Sequence, residues 1–225
     1  MLEKTNANVA LTKPRESALA TNKVLRNTYA LLSMTLLFSA ATAAIAVATN
    51  AQPLGIFIVL GGYFGLLFLT SALRNSAWGI LSVFALTGFM GYTLGPIISL
   101  YLSIPGGSSI VMTAFAGTGV IFLGLSAYAL VTGKDFSFMG GFLMVGILVA
   151  FLASLGAFVF AIPALMLAVS AMFILLMSGL ILYQTSEIIH GGETNYIMAT
   201  VTLFVAIFNL FQSLLMILGI FGGDD

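Results

Sequence analysis

The densest polar stretch of the chain is Gln184-Thr185-Ser186-Glu187-Ile188-Ile189-His190-Gly191-Gly192-Glu193-Thr194-Asn195. It holds the only histidine and two of the seven acidic residues. Glu187 and His190 lie three apart, so on a continuing helix they share a face. Histidine changes charge near neutral pH, and a neighbouring carboxylate shifts that change. Glu187, His190 and Glu193, with Gln184 one turn upstream and Arg26 before the first apolar run, are therefore candidates for a gate or an interaction site. The plainer reading of the same residues is a solvated turn that caps two helices, with Gly191-Gly192 ending the first. Both readings stand at this point.

Other chemistries find too few groups. A di-iron site takes Glu-x-x-His motifs from two helices and further glutamates. A zinc site takes three or four ligands. One histidine and no cysteine supply neither, and they leave no disulfide and no thiol nucleophile. Ser126, with His190 as base, faintly resembles an intramembrane serine protease, but it sits toward the C-terminal end of its helix, where the dipole disfavours an oxyanion. The chain is read as no enzyme, with no cofactor and no metal. A second candidate is Gly91-Tyr92-Thr93-Leu94-Gly95-Pro96, where proline removes a backbone donor. Gly95 and Pro96 mark a candidate helix break, of the kind that lines cavities in transporters, or a packing kink.

These groups are carried by a chain made for lipid. Of its 225 residues 60% are hydrophobic, and Lys+Arg and Asp+Glu number only seven each. A water-soluble domain of this size cannot hide so much apolar surface behind so little charge. A membrane helix needs roughly 20 apolar residues to cross about 30 Å of hydrocarbon. Such runs fall at 29–49, 54–73, 79–102, 109–132, 138–160, 164–185 and 196–221. They do not alternate apolar and polar residues, which excludes a β-barrel. The fold class is an all-α membrane protein, a seven-transmembrane helix bundle over residues 27–225 with a polar tail at 1–26. The first run is longer than the roughly 7–15 residues of a signal-peptide core, so it is read as a retained helix. Zero formal charge and no basic stripe give nucleic acid no footing.

Lys4, Lys13, Arg15, Lys23 and Arg26 precede the first run, Arg74 lies between the second and third, and Lys134 between the fourth and fifth. With seven spans all seven fall on one side. Basic residues stay in the cytoplasm, which places the N-terminus inside and the C-terminus in the periplasm. Small residues spaced by four, Ala40/Ala44/Ala48, Gly61/Gly65 and Gly91/Gly95, are the expected helix–helix contacts.

Three segments carry a resemblance: Lys23-Val24-Leu25-Arg26-Asn27-Thr28-Tyr29, Gly91-Tyr92-Thr93-Leu94-Gly95-Pro96-Ile97, and Ile188-Ile189-His190-Gly191-Gly192-Glu193-Thr194-Asn195-Tyr196-Ile197. They resemble the YccA-like bacterial branch of the Bax inhibitor-1 (TMBIM) family, and the likeness covers almost the whole chain. It implies a multi-pass protein of the bacterial inner membrane with helix seven central. For the YccA-like branch it implies a partner, the membrane-anchored ATP-dependent protease FtsH, which the protein binds and modulates. For other members it implies a pH-sensitive calcium leak in which acids on helices six and seven share protons. Here Gln184 stands in Tyr183-Gln184-Thr185 and Ala206 in Leu203-Phe204-Val205-Ala206-Ile207-Phe208-Asn209 where those members keep the acids. Neither residue shares a proton as coupled carboxylates do, and calcium prefers several anionic oxygens. A Ca2+ or H+ pathway is the alternative expectation, with Glu187 as its substitute acid. The polar, weakly patterned tail Met1–Asn22 suits the protease reading.

Overall fold

Backbone amides in hydrocarbon find no water, so each span must satisfy its own hydrogen bonds as a helix. The computed structural model describes the backbone of residues 2–222 and the side chains of residues 23–220 and 222. Seven long helices make up the fold: α1 (Leu2–Ala48), α2 (Ile56–Leu73), α3 (Trp78–Leu102), α4 (Gly107–Thr132), α5 (Gly140–Val159, after a 3-10 turn at Ser137–Met139), α6 (Pro163–His190) and α7 (Tyr196–Phe221). All seven are long and apolar enough to cross a membrane, α1 by its part Lys23–Ala48. The chain is a multi-pass membrane protein. The side chains of the tail up to Asn22 lie outside the described residues.

α7 touches α1, α3, α4 and α6, and so forms the centre. α2 packs on α3 and α5 on α6, and Phe64 of α2 meets Phe151 of α5 edge-on at 6.0 Å. One half of the core joins Leu31, Leu32, Val83, Leu86, Ile197 and Phe204. The other half joins Ala43, Leu94, Ala114, Phe211 and Leu215. Leu143, Met177, Ile181, Ala206 and Leu210 bind α5, α6 and α7 together.

The tightest contact is α1 against α3. A Cβ built on Gly91 would strike the carbonyl of Ser39 and the hydroxyl of Thr42, and one on Gly95 would strike Ala46. The two glycines meet the expectation of close packing. The other two repeats do not. Ala40, Ala44 and Ala48 are exposed, and the face of α1 that meets α3 is one position away, at Ser39, Thr42, Ala43 and Ala46. Gly61 and Gly65 have open space around them, whereas Gly62 packs under Phe89. Spacing by four finds a stripe but not which stripe faces protein, because lipid accepts small residues too.

The helices also depart from the apolar runs, and α1 already starts at Leu2, well before 29. α6 continues past Thr185 to His190 and stops at Gly191, whose φ of +77° is the left-handed cap conformation. The apolar run ends where the hydrocarbon ends, but the helix goes on into the polar layer until a glycine turns it. α3 is not broken at Gly95–Pro96. It runs helical through Pro96 to Leu102, braced along Gly91 and Gly95 by α1.

Substitution should separate the two kinds of glycine. Gly91→Leu must push α1 from α3 and should cost more than the usual 1–3 kcal/mol of overpacking, because backbone stands in the way. Gly61→Leu, which meets open space, should be near neutral. Melting temperatures in mild detergent read the difference, and equal values for the two would refute the α1–α3 contact.

Candidate functional site

The polar stretch lies at the end of the bundle that also carries Arg26, Arg74 and Lys134. Hydrogen bonds tie the connections of this end together. Asn195 caps α7 by accepting from the amides of Ile197 and Met198 at 3.1 Å. Its side-chain amide donates to the Arg74 carbonyl at 3.0 Å and to Asn75 Oδ1 at 2.9 Å, which anchors the α2–α3 turn. The buried Ser186 hydroxyl accepts from the Phe136 amide at 2.9 Å, which anchors the α4–α5 connection. His190 Nδ1 lies 2.9 Å from the Ser186 carbonyl, one turn back on its own helix.

The acids serve the same turn. Glu193 Oε1 accepts from the Asn195 amide at 2.7 Å. The Glu187 carboxylate lies against Gly192, and the Glu187 carbonyl accepts from the amides of Gly192 and Glu193 at 2.8 and 3.1 Å. Glu187 and His190 therefore share a helix end but each engages a different neighbour. Arg26 is exposed on α1. Asp135, exposed in the α4–α5 connection, accepts from the Ser137 amide at 2.8 Å. That bond, then the Ser137 side chain and the nearby His190, hold its carboxyl below the usual 3.8. The Asp135–Ser137 bond is thus in place at neutral pH and is lost only as pH falls through that lowered value.

One layer deeper lies a set of buried polar groups that the sequence stretch does not reveal as a unit. Tyr29 OH of α1 lies 3.3 Å from Thr185 Oγ1 of α6. Thr200 of α7 donates to the Thr28 carbonyl at 3.3 Å. Three buried atoms here have no hydrogen-bond partner among the described residues: Thr28 Oγ1, Ser126 Oγ and Gln184 Nε2. Gln184 is 5% exposed and Ser126 3%. Leaving such a group unmet costs about 1–3 kcal/mol. The signal that could have found them is positional: each of α1, α4, α6 and α7 carries a hydroxyl or amide within two turns of this same end.

At the opposite end a cavity of about 560 Å³ is lined by Asn50, Gln52, Thr93, Pro96, Ser99 and Gln212. It does not reach Gln184 or Glu187. The α7 residues between the two ends include Leu203, Phe204 and Ala206, all buried in apolar clusters. Among the described residues no cluster of three or more His, Asp or Glu side chains is placed to hold a metal.

Residues 21–223 match the family model described as Inhibitor of apoptosis-promoting Bax1. The chain is 55% identical over 202 residues to an uncharacterised protein of Pseudomonas aeruginosa, covering 90% of this chain and 91% of that one. It is 51% identical over 216 residues to the Escherichia coli K12 protein named Modulator of FtsH protease YccA, covering 96% and 98%. An uncharacterised membrane protein of Vibrio cholerae is 42% identical over 95% of this chain and 96% of its own length.

Two substitutions should move stability in opposite directions. Asn195→Ala removes a helix cap and the tether to Arg74 and Asn75, and should lower stability by about 1–2 kcal/mol. Gln184→Leu replaces a buried, unmet amide by an apolar side chain of similar size and should raise the melting temperature. A drop with Gln184→Leu would mean that this amide is satisfied in the membrane.

Proposed function

The chain belongs to the Bax inhibitor-1 family, and on that premise we propose that it binds and modulates the FtsH protease in the bacterial inner membrane. The observation that carries this reading is the 51% identity, along 96% of the chain, to the E. coli protein named for modulating that protease. Under this reading the end bearing Arg26, Arg74 and Lys134 faces the cytoplasm, and so does the N-terminal tail at 1–22. The exposed Arg26 and His190 then lie on a face made of short turns, which a soluble part of the protease can approach.

The interior weighs against a leak pathway as the main role. Ala206 is fully buried among Leu143, Met177 and Ile181, an apolar cluster with no place for a shared proton. Gln184 is neutral and cannot titrate. The cavity near Pro96 is separated from Gln184 by the aromatic and aliphatic middle of α7. An ion crossing there would meet bare hydrocarbon side chains, at a cost of several kcal/mol even by the mildest scales.

The full-length protein should co-purify with FtsH in mild detergent, and its overproduction should change the lifetimes of FtsH substrates. Removing residues 2–22 should weaken both effects while leaving the seven helices folded. No co-purification together with unchanged lifetimes sinks the proposal. In liposomes, calcium flux should stay at the level of empty vesicles from about pH 6 to pH 8, the range where histidine titrates. A pH-dependent flux abolished by Glu187→Gln would favour the leak instead.

A further inference from the structure

α1 and α4 both rest on α7, yet they meet only toward the basic end. There Tyr29 and Phe122 lie 6.2 Å apart, centroid to centroid. Beyond that contact the helices part and leave a seam of about 570 Å³ that opens sideways from the bundle. Ala40, Ala44 and Ala48 of α1 line it, with Phe115 and Gly119 of α4, and Leu94, Ile98 and Leu102 of α3 and Phe211 of α7 complete the lining. The mouth is continuous with the lipid-facing surface, since Leu37 is 73% and Phe115 67% exposed. We propose that this seam binds one acyl chain of a phospholipid, from the leaflet at the end of the bundle away from the lysines and arginines.

Length, volume and chemistry agree on that occupant. On α1 the seam runs from Leu36 to Ala48, the last residue of the helix. At 1.5 Å per residue this is about 18 Å, close to half of a hydrocarbon core of about 30 Å. The seam therefore spans one leaflet, from the middle of the bundle to its far surface. Its volume equals about 19 methylene-sized units if each takes roughly the 30 Å³ share of a water molecule, which is one long fatty acyl chain. No titratable side chain lines the seam. Thr118, one of its few polar residues, spends its hydroxyl on the Ala114 carbonyl at 2.7 Å. With Ser39 the only other polar side chain in the lining, a polar ligand or a headgroup would find little to bond, whereas a hydrocarbon chain needs nothing. The small side chains on α1 and α4 make the slot. They explain why Ala40, Ala44 and Ala48 are spaced like a packing stripe but touch no helix.

The test uses the full-length protein in vesicles of phosphatidylethanolamine and phosphatidylglycerol doped with a phospholipid that carries a photoreactive diazirine on its acyl chain. Adducts should fall several-fold more often on the seam residues of α1 and α4 than on Leu152 and Phe158, exposed on α5 in the same half of the bundle. The double variant Ala44→Phe and Gly119→Leu should abolish that excess. Both positions have room outside the core, Ala44 being exposed and a Cβ on Gly119 meeting nothing within 4 Å, so the melting temperature should hold. If the variant nevertheless misfolds, the ratio of seam to α5 adducts in the unaltered protein decides alone. Equal labelling of the seam and α5 overturns the proposal. So does efficient disulfide formation between copies of Ala44→Cys, which is a unique thiol in a chain without cysteine, because a second copy would then fill the seam.

Discussion

Hydrocarbon gives apolar helices no reason to leave it for one another, so shape must do what water does for a soluble core. In this bundle the demand is met first between α1 and α3. Gly91 and Gly95 let the two backbones come so close that the carbonyl of Ser39 and the side chain of Ala46 occupy the space of the missing side chains. α7 then lies against α1, α3, α4 and α6. Helices α2 and α5, which touch fewer partners, present most of their surface to lipid, with Phe57, Phe68, Phe142 and Leu152 exposed.

The two ends of the bundle are built by different means. At the basic end, Asn195 and Ser186 fasten the turns that carry Arg74 and Lys134, and the turn after α6 fastens itself through Glu187 and Glu193. At the far end the connections carry no charge, and a cavity of mixed, largely apolar lining opens beside Pro96. Of the residues that looked most chemical in the sequence, Glu187 and Glu193 hold the turn after α6, while Gln184 is buried and Arg26 and His190 are exposed. Structural and partner-binding roles are compatible here, because a fastened set of short turns is a rigid surface.

Much of this was legible beforehand, for reasons that can be named. Seven spans and their one-sided basic residues follow from composition and the thickness of a membrane, and each described Lys and Arg does lie at one end. Gly191 as the stop of α6 follows from its freedom in the left-handed region. The length of α6 was not legible, because apolar runs report the hydrocarbon and not the helix. Nor was the facing of Ala40, Ala44 and Ala48, since a small residue looks the same to a sequence whether a helix or a lipid lies over it. Thr28, Tyr29 and Ser126 did not point to one another or to Thr200 in the sequence, because single hydroxyls are ordinary in membrane helices, and only the fold gathers them into one layer.

The clasp between α1 and α3 has a mechanical consequence. α1 is the helix nearest the N-terminus, and it is also the one on which α3 and α7 both rest. A force drawn through the N-terminus first meets the contacts of Thr28 and Tyr29 with α7 and α6. The clasp at Gly91 and Gly95 lies further along the same helix. Resistance to such a pull is therefore spread along α1 rather than held at one joint.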